Sequence, residues 1–204
     1  WGLPSPLMPS EIPFHIALIL IIVLTMAVVV YRRFHAAASG ETISRKEEGY
    51  LSAISLRLAG LCLLAATLGY ILFPAFFQWA LVPLPEWIRW GGVVTGTLCS
   101  LLLYWTLSSL GKNLTDTVVT RKEATLVTHG PYRWIRHPYY VTAALLMSSV
   151  TILTANWLIG VTSLIVLVLL AVRTPKEEAM LIERFGDQYR AYMARTGRFV
   201  PRLF

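Results

Sequence analysis

Two short stretches concentrate the side chains able to grip an ion or move a proton. They are residues 126–140, Leu-Val-Thr-His-Gly-Pro-Tyr-Arg-Trp-Ile-Arg-His-Pro-Tyr-Tyr, and residues 173–178, Arg-Thr-Pro-Lys-Glu-Glu. The first joins two strongly apolar regions and holds two arginines, two histidines and four aromatic rings. Proline locks φ and pushes the residue before it toward extended backbone, so Gly130-Pro131 and His137-Pro138 pin the shape of this loop. The chemistry on offer is an arginine for an anion, acids for a cation, and His137, Glu177 or a tyrosine as a base. Metal chemistry finds no support, because there is no Cys/His cluster and His15, His35, His129 and His137 are scattered. A Gly-x-Ser-x-Gly elbow, a Walker loop and a Gly-x-Gly-x-x-Gly turn are also missing. Cys62 and Cys99 fall inside apolar runs and read as small packing residues.

Each candidate has an ordinary alternative. Arg173 can be an interfacial arginine that snorkels, and Glu177 and Glu178 can be acids favoured in a first helical turn after Pro175. His137 can be a satisfied interfacial histidine, and Tyr132, Tyr139 and Tyr140 can be aromatic-belt residues. Their joint position, bracketing a short apolar hairpin at one face, points instead to a site.

The elements that must position these residues are apolar. Of 204 residues, 56% are hydrophobic and 14% charged, against about 45–50% and 25% in soluble domains. This predicts an all-α integral membrane protein. Spans are expected over 14–31, 51–73 and about 88–110, the last containing Gly92-Val-Val-Thr-Gly96, whose small residues allow close helix contact. Trp79, Trp87 and Trp90 mark a headgroup level. Two shorter runs, 139–153 and 157–172, read as a helical hairpin with Asn156 at its tip. Pro175 reads as the start of a cytosolic amphipathic helix whose apolar face carries Met180, Leu181, Phe185, Tyr189, Tyr192 and Met193. About five transmembrane helices follow, with residues 1–110 forming three membrane spans and residues 111–204 the loop, hairpin and C-terminal helix of the same continuous bundle.

The net charge of +7 is set by location. Segments 32–57, 111–138 and 173–202 hold 17 of the 18 lysines and arginines, leaving Arg89 alone on the other side. That pattern reads as membrane orientation rather than nucleic-acid binding, and it places the loop and the acid pair in the cytoplasm.

The C-terminal half also resembles a family, the membrane-embedded isoprenylcysteine carboxyl methyltransferases and their relatives among the phospholipid N-methyltransferases. Leu110-Gly111-Lys112, Leu126-Val-Thr-x-Gly-Pro-Tyr132, Arg136-His-Pro-x-Tyr140, Glu177-Glu178 and Phe185-Gly186-x-x-Tyr189-x-x-Tyr192 carry the resemblance, in the family's order and at about its spacing. It implies S-adenosylmethionine as cofactor and S-adenosylhomocysteine as product. The cofactor contacts it implies are Ala124, Thr125, Leu126 and Val127, read as strand-like, then Tyr132, His137, Pro138, Tyr139 and Tyr140. One of Glu177 and Glu178 would join them, with Arg173 and Glu178 as catalytic residues and Arg173 reaching the methyl acceptor. At Ala124 the prenylcysteine enzymes carry histidine, so a backbone contact would survive there and a side-chain contact would not.

The chemistry is compatible with that assignment. An acid can meet the cofactor's ammonium, and tyrosine faces attract a sulfonium by about 0.5–2 kcal/mol. A carboxylate acceptor, such as that of a prenylcysteine-like substrate, needs only orientation, whereas an amine or thiol must first lose a proton. The implied partners are therefore the lipid bilayer and a lipophilic or prenylated acceptor. Two other functions remain at this stage. One is a sterol-type membrane reductase using NADPH, which shares an Arg-His-Pro-x-Tyr loop but usually has more spans. The other is a non-catalytic lipid-binding module. On the methyltransferase reading, Glu178→Gln weakens cofactor binding with the bundle intact, and Arg173→Ala spares binding and lowers turnover.

Overall fold

The structure, a computed structural model, describes residues 9–37, 50–111 and 125–202. Its helices are α1 (Ile12–Ala37), α2 (Tyr50–Leu72), α3 (Glu86–Leu110), α4 (Pro138–Thr154), α5 (Trp157–Phe185) and α6 (Asp187–Arg195). By length and composition α1, α2, α3 and α5 can each cross a membrane, and α4 is a shorter apolar helix. At 1.5 Å per residue the 17 residues of α4 span about 25 Å and the 29 of α5 about 43 Å.

Helices consecutive in the chain run antiparallel, while α1 and α3 lie side by side in parallel, as short polar contacts at their ends show. At one end His15 Nε2 in α1 lies 3.3 Å from the Tyr70 carbonyl near the end of α2. The Arg89 Nε–H at the start of α3 donates to the Leu153 carbonyl at the end of α4 at 3.0 Å. Arg89 also grips Glu11 with both terminal nitrogens, at 2.7 and 2.9 Å, and sits 3.8 Å over the Phe14 ring. At the opposite end Arg32 of α1 donates to the Ser108 carbonyl of α3 at 3.3 Å.

The core cluster of Phe14, Leu18, Ile21, Ala66, Tyr70, Leu153 and Ile159 fills the end that contains Arg89. Elsewhere the spans turn Leu20, Val23, Leu61, Leu98 and Leu164 outward, as helices facing acyl chains must. Helix α3 packs along α4, and Gly92 permits this: a β-carbon there would stand 2.8 Å from the Leu153 amide nitrogen and 2.9 Å from the Ser149 carbonyl oxygen.

The hairpin tip is built as its residues require. Ala155 takes left-handed backbone at φ 47°, and the Asn156 side chain caps α5 by accepting from the Leu158 and Ile159 amides at 3.1 and 3.2 Å. Val82 of the 73–85 connector donates its amide to the Ala155 carbonyl at 2.7 Å, tying the connector to this tip.

Two expectations change. Pro175 does not begin a helix, because α5 runs through it from Trp157 to Phe185. A proline inside a helix removes one backbone bond, and here the flanking turns continue regardless. The break comes at Gly186, whose φ of 54° suits glycine. Met180, Leu181 and Phe185 therefore lie on α5, while Tyr189, Tyr192 and Met193 lie on the separate α6. The second difference is at 124–127. Ala124 lies outside the described residues, and Thr125, Leu126 and Val127 have no regular secondary structure.

Candidate active site

The loop begins against α3. Gly130 has φ 60°, and a β-carbon there would stand 2.2 Å from the Ser109 hydroxyl, so only glycine fits both the backbone and the space. Pro131 then opens a single 3-10 turn, Gly130–Arg133. Its Tyr132 is buried, and the Tyr132 carbonyl accepts the Tyr192 hydroxyl of α6 at 2.5 Å.

The next residues pair with the chain's C-terminal segment. Gly197 donates its amide to the Trp134 carbonyl at 3.3 Å and accepts from the Arg136 amide at 2.9 Å. The His137 amide donates to the Arg198 carbonyl at 3.1 Å. Pro138 follows at the first position of α4, where its missing N–H costs nothing.

Glu178 is the electrostatic centre of this arrangement. It is 3% exposed. Its Oε1 accepts the Arg136 Nε–H at 2.8 Å and lies 3.3 Å from His137 Nε2. Its Oε2 accepts from Arg198 Nε at 3.1 Å and Nη2 at 2.5 Å. Arg136 also donates to the Met193 carbonyl at 3.3 Å and to the Thr196 carbonyl. One buried carboxylate thus joins the loop, α5 and the C-terminal segment, and Arg136 carries the link on to α6.

Glu177, one residue earlier, turns to a different neighbour. The Tyr140 hydroxyl donates to its Oε2 at 2.6 Å, and the carboxylate stays half-buried. Arg173 lies four residues before Glu177 on α5, which places the two on one helical face. Tyr140 also stacks on His137, with ring centroids 5.4 Å apart and planes 11° from parallel, and Tyr139 packs beside it at 6.0 Å.

The phenols outside the spans are kept neutral. Burial pushes Tyr132 and Tyr189 well above the usual tyrosine range, and Tyr192 up to about 12. Protonated near neutral pH, they are not bases, and Tyr192 is the one seen to donate. Among the described residues no three of His, Cys, Asp and Glu gather as metal ligands do.

Of the site residues expected from sequence, Tyr132, His137, Pro138, Tyr139, Tyr140, Glu177 and Glu178 come together. Arg173 stands beside them, and Thr125, Leu126 and Val127 lead into the loop. Sequence reading gave no role to Arg136, although it stands inside the Arg-His-Pro-x-Tyr run, and missed Arg198 entirely.

Glu177 thus presents a half-buried carboxylate beside the rings of Tyr139 and Tyr140. Comparison with known proteins agrees with the resemblance. A sequence model of the isoprenylcysteine carboxyl methyltransferase family matches residues 93–183, from α3 through the acid pair. The human protein-S-isoprenylcysteine O-methyltransferase is 30% identical over 118 residues, 56% of this chain and 42% of that protein. The enzyme of the same name from Tribolium castaneum is 31% identical over 119 residues, 57% of this chain and 42% of its own length. The chain therefore matches less than half the length of these relatives. The fold is similar to that of the eukaryotic intramembrane Ras methyltransferase ICMT, with a TM-score of 0.54, 24% sequence identity and coverage of 91% of this chain and 67% of that one.

Proposed function

We propose that this chain is a membrane methyltransferase of the isoprenylcysteine carboxyl methyltransferase type. On this reading it uses S-adenosylmethionine on a lipophilic acceptor at the cytoplasmic face, and α1 to α5 all cross the bilayer. Residues 1–110 frame the bundle, and 111–204 build the site within it. The observation that carries the reading is the convergence of the proline-pinned loop and the acid pair, with Tyr140 on Glu177 and Arg136 and His137 on Glu178.

Bound S-adenosylmethionine supplies a methyl group on an already activated sulfonium. Glu177 would hold the cofactor's ammonium, and Tyr139 and Tyr140 would supply aromatic surface for its cationic sulfur. Tyr132, His137 and Pro138 wall the pocket with backbone and ring surface, and residues 125–127 offer backbone hydrogen bonds. Glu178, whose two oxygens are both engaged by protein donors, holds this wall in place rather than touching the cofactor. Arg173 orients the acceptor, and a carboxylate suits it best because a guanidinium can take both oxygens at once. Such an acceptor is ionised at neutral pH. This matches a site in which Tyr132 and Tyr192 are too weakly acidic to serve as bases. The protein's contribution is alignment of acceptor and methyl at about 3–3.5 Å.

The test is equilibrium binding to purified protein in detergent, followed by transfer of a labelled methyl group into a lipid extract. Binding of S-adenosylhomocysteine at micromolar concentration and a labelled carboxyl ester are expected. Binding of NADPH instead would assign the site to a reductase, and binding of neither would reduce the loop to a docking element.

A further inference from the structure

The family match ends at residue 183, yet the candidate site is closed by residues beyond it. Three backbone hydrogen bonds fasten 197–198 to 134–137, and they engage the amides of Arg136 and His137, the two residues just before Pro138. Gly197 is required for this path, because a β-carbon there would run into the carbonyl oxygen of Val200. The segment is presented by α6, which is fixed to the loop through the Tyr192 hydroxyl on the Tyr132 carbonyl. It leaves α6 at Thr196, whose hydroxyl donates to the Tyr192 carbonyl at 2.6 Å.

Charge balance alone does not explain Arg198. Glu178 already has a buried guanidinium, Arg136, on its Oε1. A second guanidinium on a carboxylate that is already paired adds geometry more than neutralisation. Arg198 remains 43% exposed in its side chain while reaching the buried Oε2 with two donors. Its fork fixes the register of the segment, and that register sets the next residue, Phe199, 5.9 Å from the His137 ring. His137 is then held by several partners: its amide by the Arg198 carbonyl, its Nε2 beside Glu178, and its ring against Tyr140 and Phe199. The stacked Tyr140 in turn places its hydroxyl on Glu177.

We propose that Arg198 and Phe199 form a C-terminal latch that positions the Glu177 carboxylate for the cofactor, acting through His137 and Tyr140. Arg198 is a positioning residue in this scheme, and the proposal rests on the methyltransferase reading above. Without these two side chains the 197–198 backbone loses its anchor on Glu178, its bonds to the Arg136 and His137 amides open more readily, and His137, on which Tyr140 stacks, loses the Phe199 ring.

The full chain in detergent tests this with wild type, Arg198→Ala, Arg198→Lys and Phe199→Ala. The expected result is about a tenfold rise in the Kd for S-adenosylhomocysteine in Arg198→Ala, at unchanged binding stoichiometry, with most of the affinity recovered in Arg198→Lys. Phe199→Ala should raise Kd in the same direction. A purely structural residue would instead lower the fraction of protein able to bind and leave the Kd of that fraction unchanged, which would overturn the proposal. Hydrogen exchange separates the latch from the methyltransferase reading. Faster exchange at the Arg136 and His137 amides in Arg198→Ala supports the latch, and unchanged exchange overturns it. Wild-type protein that binds no S-adenosylhomocysteine overturns the methyltransferase reading and the positioning role together.

Discussion

Successive residues on an α-helix point about 100° apart, so Glu177 and Glu178 meet different neighbours although they are adjacent in the chain. Glu178 faces inward to two guanidiniums and His137, and Glu177 faces Tyr140 and the side of α5 that carries Arg173. From sequence one of the pair joins the cofactor, Glu178 is the catalytic acid, and Glu178→Gln is expected to weaken cofactor binding with the bundle intact. The contacts argue for a different outcome. Glu178→Gln leaves Arg136 and Arg198 sharing a neutral amide, and loss of one partner from a buried ion pair typically costs about 3–5 kcal/mol. A clear drop in the thermal midpoint should follow. Glu177→Gln should keep the midpoint within a degree or two and weaken S-adenosylhomocysteine binding about tenfold, equivalent to about 1.4 kcal/mol. Arg173→Ala should leave that binding unchanged and lower turnover about a hundredfold, measured as labelled methyl transfer. The loop and the acid pair were legible because their residue types are out of place between apolar runs. The bonds that organise them were not. Arg136 reaches Glu178 across 42 positions and Arg198 across 20, and no local pattern announces a partner that far away.

At the scale of elements, local signals located most boundaries and misjudged two. The first span is expected to end at residue 31, just before Arg32 and Arg33, yet α1 continues to Ala37, because a helix can carry polar side chains past the apolar layer. Pro175 was misread for a related reason. Proline is favoured at a helix start but tolerated in the interior of a long apolar helix, and only the packing of the preceding span decides between the two. The Gly92-Val-Val-Thr-Gly96 stretch was readable as a contact but not as a contact with α4. Here the structure makes a paired prediction. Gly92→Ala drives a methyl against the backbone of Ser149 and Leu153, which cannot move aside, whereas a β-carbon on Gly91 meets nothing within 4 Å. Overpacking of this kind costs about 1–3 kcal/mol. Thermal unfolding in detergent should show Gly92→Ala destabilised and Gly91→Ala unchanged or slightly more stable, since alanine is the better helix former.

At the scale of the whole molecule, the charge asymmetry and the polar contacts at the two ends describe one arrangement. Arg89 is the single Lys/Arg assigned to the far side. It is spent on Glu11, on the Leu153 carbonyl and on the Phe14 ring, so it adds no free positive charge there. The hydrogen bond from Arg89 holds the Glu11 carboxyl below its ordinary value of 4.5. A carboxyl whose folded value is lowered contributes stability that is present above its unfolded value and lost as pH falls through the folded one. The thermal midpoint should therefore fall as pH drops below about 4.5, and Glu11→Gln should lower the midpoint at neutral pH while flattening that part of the acid dependence. Orientation itself is tested by labelling from each side. In a Cys62→Ala, Cys99→Ala background, a cysteine at Arg190, on exposed α6, should react with an impermeant maleimide only in inverted vesicles. A cysteine at Trp87, exposed at the start of α3, should react only in right-side-out ones. Labelling of both positions from the same side would contradict an odd number of crossings between them, and with it a methyl-transfer site that opens to the cytoplasm while Arg89 closes the opposite end.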